Sequence, residues 1–219
     1  IHGIHSIMII TTYIHQLQPS MREGIRLAIF QGEGSVGSME AMEQNLHQLE
    51  LITKQATTYG AQLISFPELY LSGYAAPPEI LHGLALETNG KILARVAAVA
   101  ARNKIAIICP YPERAWVGGE TRFYDSIAMF DSNGALVKNY RKTHLWGPDE
   151  KKIWNLGHTH DEEEAPFSVH AVNGIEVGLL NCYEAEFPEL TRKLALLGAK
   201  LVVIPTAADF STKLSTGKW

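Results

Sequence analysis

The sequence predicts an α/β fold of two sheets flanked by helices. Three observations predict it: residues 24–67 read as strand, helix, strand; residues 174–205 repeat that order; and two hairpin signals lie between them. A strand–helix–strand crossover normally pairs its strands in parallel, and the apolar sheets that result need helices outside them. The echo can be read directly. Gly24-Ile25-Arg26 opens the first unit, which closes on Gly60-Ala61-Gln62-Leu63-Ile64-Ser65-Phe66-Pro67. Gly174-Ile175-Glu176 opens the second, which closes on Gly198-Ala199-Lys200-Leu201-Val202-Val203-Ile204-Pro205. A two-fold echo at so long a period is not a solenoid.

Taken in order, residues 25–30 read as a buried strand and 32–37 as a Gly-rich turn. Ser38 can cap the helix that follows, with Glu40 in its first turn. Met42, Leu46, Leu49, Ile52 and Ala56 then recur at helical spacing, and Gly60 stops the run. Residues 61–66 form the second strand. A second helix is expected within 86–103, with Ile92, Leu93, Val96, Ala97 and Ala100 inward, then a buried strand at 105–109. Asn133-Gly134 joins strands at 126–130 and 135–140, and Asn173-Gly174 joins strands at 167–172 and 175–180; each pair is a strong hairpin signal. A helix at 188–197 and a strand at 201–205 complete the pattern.

Composition narrows the function. With 219 residues the chain suits one domain with a sizeable core. A net charge of −4 and the lack of a basic run argue against nucleic acid as partner. Asp161-Glu162-Glu163-Glu164 reads as a solvated loop. Two cysteines argue against a disulfide framework and for a reducing compartment, although a single Cys109–Cys182 bridge stays open. The apolar stretch 4–14 is too short to span a bilayer and lacks a basic flank, so no membrane segment and a cytoplasmic location are expected. Met21 precedes a strand, and residues 1–20 are read as an extension outside the domain, which runs 21–219.

Cys182 follows a strand and precedes Pro188, which can open a helix. Open α/β sheets place ligands at such strand ends, and the free N–H groups of the turn favour a thiolate or oxyanion. A small buried hydrophobe is the commoner reading of a free cysteine, and Cys109, inside an apolar strand, is read that way. Glu68 ends another strand, where partial desolvation suits general-base work. Lys142 closes the hairpin strand, and Glu150 follows in Trp146-Gly147-Pro148-Asp149-Glu150; alone, each is a weak signal. His158 and His160 share a strand face but have no further ligands, so no metal is expected. Gly32–Gly37 fits no nucleotide loop, so no cofactor is expected either.

Together these segments resemble the carbon–nitrogen hydrolase (nitrilase) superfamily. Phe66-Pro67-Glu68-Leu69-Tyr70-Leu71-Ser72-Gly73-Tyr74 is similar to its glutamate motif, and Tyr140-Arg141-Lys142-Thr143-His144-Leu145 to its lysine motif. Gly147-Pro148-Asp149-Glu150 is similar to its second glutamate segment, and Leu180-Asn181-Cys182-Tyr183-Glu184-Ala185-Glu186-Phe187-Pro188-Glu189 to its cysteine motif. The resemblance implies an α-β-β-α sandwich and a Glu68–Lys142–Cys182 triad. It implies that Glu150 holds the lysine and that the Tyr183 N–H and Tyr74 face the substrate or its oxyanion. Tyr183 in place of Trp after the cysteine resembles the amidase branches, so a small primary amide is the expected substrate and a homo-oligomer the expected assembly. Nitrile or carbamoyl-amide hydrolysis is the alternative within enzymes. Relatives continue beyond the strand at 201–205, so the C-terminal part of the fold is expected to be missing. A non-catalytic subunit paired with a longer relative is the alternative outside them.

Overall fold

A computed structural model gives the structure over residues 7–9, 24–157 and 166–207. The expectations about the start at Met21, about His158 and His160 and about the acidic run lie outside the described residues. The strands are β1 (Ile7–Ile9), β2 (Leu27–Gln31), β3 (Leu63–Ser65), β4 (Ala106–Val117), β5 (Glu120–Phe130), β6 (Leu136–Arg141), β7 (Val169–Val172), β8 (Ile175–Leu179) and β9 (Leu201–Val203). The helices are α1 (Met39–Thr58), α2 (Pro78–Leu84), α3 (Lys91–Asn103), α4 (Gly147–Ile153) and α5 (Pro188–Leu196), with a 3-10 turn over Cys182–Glu186. Among the described residues, β1 to β6 form one sheet in sequence order and β7-β8-β9 form a second.

Both predicted crossovers are present: β2 pairs parallel with β3 across α1, and β8 parallel with β9 across α5. α1 starts where Ser38 accepts a hydrogen bond from the Ala41 N–H at 3.0 Å, and all five residues of its predicted stripe are buried. The period of two along the strands divides the core. Ile64, Ile107, Cys109 and Ala128 pack under α1 and α3, whereas Leu63, Ala106, Ile108, Ile127 and Met129 face Val177, Leu179 and Val203 of the second sheet. α5 covers that sheet's far side, where a Cβ added to Gly178 would meet Leu194 at 3.0 Å. This is the α-β-β-α order.

Several boundaries differ from the sequence reading. The strands expected at 105–109 and 126–130 are parts of one long hairpin, β4–β5, turning at Gly118-Gly119. Pro110 and Pro112 obscure it, because a proline within a run argues against a strand. They are accommodated because β4 pairs with β3 only over residues 106–108; beyond that, their carbonyls accept from the Leu71 and Leu86 N–H groups. Leu86 therefore lies in a bridge to Glu113 rather than in a helix, and α3 begins only at Lys91. The helices α2 and α4 were not expected; at seven residues each they are too short for a periodic signal, and Pro78 and Pro148 open them. No helix of the described residues is long and apolar enough to cross a membrane.

Candidate active site

Four loops bring the chemistry to one end of the two sheets. Glu68 follows β3, on a loop clamped by the buried Asn45 of α1. The Asn45 side chain donates to the Tyr70 and Leu71 carbonyls, each at 3.1 Å, and to Ser35 O at 2.7 Å, while Ser35 N–H donates back to it at 2.6 Å. Lys142 follows β6 and donates its backbone N–H to Asp125 O of β5 at 2.9 Å. Glu150 comes from α4, and Cys182 opens the 3-10 turn after β8.

The lysine is the hub. Its Nζ lies 2.6 Å from Glu68 Oε1, 2.9 Å from Glu150 Oε1 and 3.5 Å from Asp125 Oδ2, and all four residues are buried. Burial alone would pull its ammonium down; the surrounding carboxyl groups of Asp125, Glu68 and Glu150 outweigh that and raise it, so it stays charged. The three carboxyl groups offer oxygens within 4.8 Å of one another, a grouping that could ligate a cation, but the lysine ammonium already sits among them. Outer partners hold the acids. Glu150 accepts from Tyr74 Oη and from the Trp146 N–H, both at 2.7 Å, and Glu68 Oε2 accepts from the Ala207 N–H at 3.1 Å. Burial, then the hydrogen bond to Glu150, raises the Tyr74 phenol, so it acts here as a neutral donor.

Cys182 is half-buried and faces Glu68 and Lys142. Burial, then the charge of Glu68, pushes its thiol up to about 12, while Lys142 pulls the other way. The residue sits at φ 49°, in the left-handed region that only glycine visits freely. Its turn is fixed from both sides. Cys182 N–H donates to Pro205 O at 2.9 Å, Asn181 N–H donates to Glu184 Oε2 at 2.8 Å, and Glu184 N–H donates to the Asn181 carbonyl at 3.1 Å. The fully buried Glu184 also accepts from Tyr140 Oη (2.6 Å), Thr143 Oγ1 (2.6 Å) and the Thr143 and His144 N–H groups (2.7 and 3.1 Å). One carboxylate thus joins the cysteine turn to the lysine loop. Tyr183 packs its ring edge-on against Phe187, centroids 5.0 Å apart, leaving its backbone N–H in the first turn.

The structure therefore gathers Glu68, Lys142, Glu150, Cys182 and Tyr74, with Tyr183 beside them. Cys109 lies in the core, and both cysteines are free. Sequence reasoning missed Glu184, Asn181 and Asp125. The Asn-x-x-Glu spacing of a capping box was visible at 181–184. An aspartate next to an apolar strand run was the signal at Asp125, because a charge at a fully buried position is uncommon unless paired.

The family model described as carbon-nitrogen hydrolase matches residues 26–219. A hydrolase from the pqqF 5′ region of Pseudomonas protegens is 37% identical over 163 residues, which are 74% of this chain and 53% of that protein. An (R)-stereoselective amidase from Pseudomonas sp is 36% identical over 148 residues, 65% of this chain and 47% of the amidase. The chain spans about half the length of these curated relatives. A solved amidase from Nesterenkonia sp. superposes with a TM-score of 0.69 at 29% identity, over 84% of this chain and 66% of that one. A mutant of that amidase, with a TM-score of 0.69 at 29% identity over 86% of this chain and 70% of its own, carries the result of Michael addition of acrylamide at the active-site cysteine.

Proposed function

The chain belongs to the carbon-nitrogen hydrolase family, and from that premise we propose that it hydrolyses a small primary amide to the carboxylic acid and ammonia through a thioester on Cys182. Glu68 takes the thiol proton as Sγ bonds to the amide carbon. A thiol pushed up to about 12 is protonated at neutral pH, so a base must remove its proton at the moment of attack. The carbonyl oxygen becomes an oxyanion. An ammonium has three N–H groups; two of those on Lys142 are used on Glu68 and Glu150, and the third meets this oxygen. The Tyr183 N–H, in the first turn where helical N–H groups lack an acceptor, is the second donor. Collapse breaks the C–N bond, and Glu68 returns its proton to the departing nitrogen as ammonia. Water then attacks the thioester while Glu68 takes its proton, and the thiolate leaves and is reprotonated from Glu68 as the acid is freed. Glu150 holds the lysine, and Tyr74 in turn holds Glu150.

The observation that carries this reading is the buried lysine shared by two carboxylates beside the only half-buried cysteine of the described residues. The amidase substrate class is drawn from the relatives, and the cytoplasmic location from the two free cysteines. The test is ammonia release from a panel of small primary amides by the wild type, with Cys182→Ala and Lys142→Ala beside it. Turnover by the wild type alone is expected. Turnover persisting in pure Cys182→Ala protein would remove the nucleophile assignment.

A further inference from the structure

Three carboxyl groups surround one ammonium in this centre, and two of them have evident work. The third, Asp125, is fully buried on β5. Its Oδ1 accepts from Asn181 Nδ2 at 2.9 Å, and Asn181 immediately precedes Cys182. Its backbone carbonyl accepts from the Lys142 N–H, and its Oδ2 lies 3.5 Å from Lys142 Nζ without a hydrogen-bond partner among the described residues. Asp125 thus reaches both the residue before the cysteine and the lysine.

We propose that Asp125 is a positioning residue of the proposed hydrolytic centre, acting as a neutral carboxylic acid that bridges Asn181 and Lys142 and presents its O–H toward Glu68. The inference rests on the assignment of Glu68, Lys142 and Cys182. The geometry argues the charge state. The groups facing Asp125 are Glu68 from the loop after β3, Glu150 from α4, Lys142 after β6 and Tyr140 within β6. Three ionised carboxylates with oxygens within 4.8 Å and a single positive partner would leave a net double negative charge away from water. Protonating one removes half of it, as when two carboxyls share a proton. Asp125 is the one with no second positive or N–H donor on its free oxygen. Burial first, then the charge of Glu68, holds its carboxyl well above the usual carboxylate range. An ionised Asp125 would also compete for the lysine N–H that the oxyanion needs; a neutral one does so far less.

The substitution Asp125→Asn keeps the acceptor for Asn181, offers an N–H where the acid offers its O–H, and leaves the charge unchanged. Alkylation of Cys182 by iodoacetamide, followed against pH by intact mass, reads this without needing turnover. Asp125→Asn is expected to superimpose on the wild-type profile and to keep kcat on any amide the wild type hydrolyses to within about two-fold. Asp125→Ala, which cuts the bridge, is expected to move the alkylation rate at neutral pH and to lower kcat by about ten-fold or more. Asp125→Ser, too short to span both partners, takes its place if the alanine variant does not fold. A shifted profile in Asp125→Asn would show an ionised aspartate, and a wild-type profile in Asp125→Ala or Asp125→Ser would show no positioning role; either overturns the proposal. If the wild type hydrolyses no amide, the functional reading fails, while the alkylation profiles still decide the role of Asp125.

Discussion

At the scale of single residues, the cysteine presents two separable properties, its charge environment and its backbone. Burial first, then the charge of Glu68, raises the Cys182 thiol, yet the proposed mechanism needs Glu68 to deprotonate it. Glu68→Gln should therefore abolish turnover while making the thiol easier to ionise, so the midpoint of iodoacetamide alkylation should fall in pH. A midpoint that rises instead would mean that Glu68 stabilises a resting thiolate. The backbone makes a different claim. A φ of 49° costs any side chain with a Cβ, and glycine escapes that cost. Cys182→Gly should be more stable than Cys182→Ala by about 1 kcal/mol in urea unfolding, even though glycine normally lowers stability through backbone entropy. Equal stabilities would mean that the turn relaxes to an ordinary φ once the thiol is gone. Such positive-φ positions carry no local sequence signal when the residue is not glycine, so this feature of the site could not be read from the chain.

At the scale of elements, β6 ends just before Lys142, and its last residue, Arg141, is anchored on the opposite face of the sheet. Arg141 reaches Glu113 of β4 at 2.7 and 3.0 Å, and Glu113 also accepts from Ser126 Oγ (2.6 Å) and Asn139 Nδ2 (2.9 Å). Burial pushes the Glu113 carboxyl up, but Arg141, Ser126 and Asn139 outweigh it and leave it below the ordinary range. A lowered folded value means that the stabilisation is complete above the unfolded glutamate value near ~4.3, and is lost as pH falls from there through the folded value. Glu113→Gln should flatten the loss of stability in that acid window. Glu113→Ala should cost about 3 kcal/mol at neutral pH, because it removes the fully buried partner of the Arg141 ion pair. Wild-type acid sensitivity in Glu113→Gln would assign that loss to other carboxylates. This network also explains what was legible. Apolar periodicity and Asn-Gly pairs exposed both crossovers and both hairpins, because those signals are local. Glu113, Asp125 and Glu184 were not read as buried polar hubs, because all their side-chain partners but the Asn181 N–H of Glu184 are distant in the chain, with Ser126 13, Thr143 41 and Asn181 56 residues from Glu113, Glu184 and Asp125 respectively. The catalytic candidates were found only because four short motifs occur in one order; singly, Glu68, Lys142 and Glu150 look like ordinary surface charges, and the structure buries all three.

At the scale of the whole molecule, the question is which surface is made for contact. α5 divides its leucines: Leu190 and Leu194, one turn apart, face the second sheet, while Leu196 and Leu197 point away from it, 79% and 46% exposed among the described residues. Among the described residues, these two adjacent leucines at the end of a helix already committed to the core stay exposed. Burying a leucine is worth about 2 kcal/mol, and a two-fold contact would count each of the pair twice, because the same patch appears on both copies. The homo-oligomer that the family resemblance implies can be tested on this pair. Light scattering behind size exclusion should give at least a dimer mass, and Leu196→Glu with Leu197→Lys should shift the protein to monomer without lowering its melting temperature by more than a few degrees, since neither side chain supports the core. Neither substituted position touches Glu68, Lys142 or Cys182, so an amide-hydrolysing monomer would show that the centre is complete within one copy. Loss of turnover on dissociation would show instead that assembly completes the site. A wild-type monomer at micromolar concentration would leave the leucine pair without a partner of its own kind and would end the self-association reading.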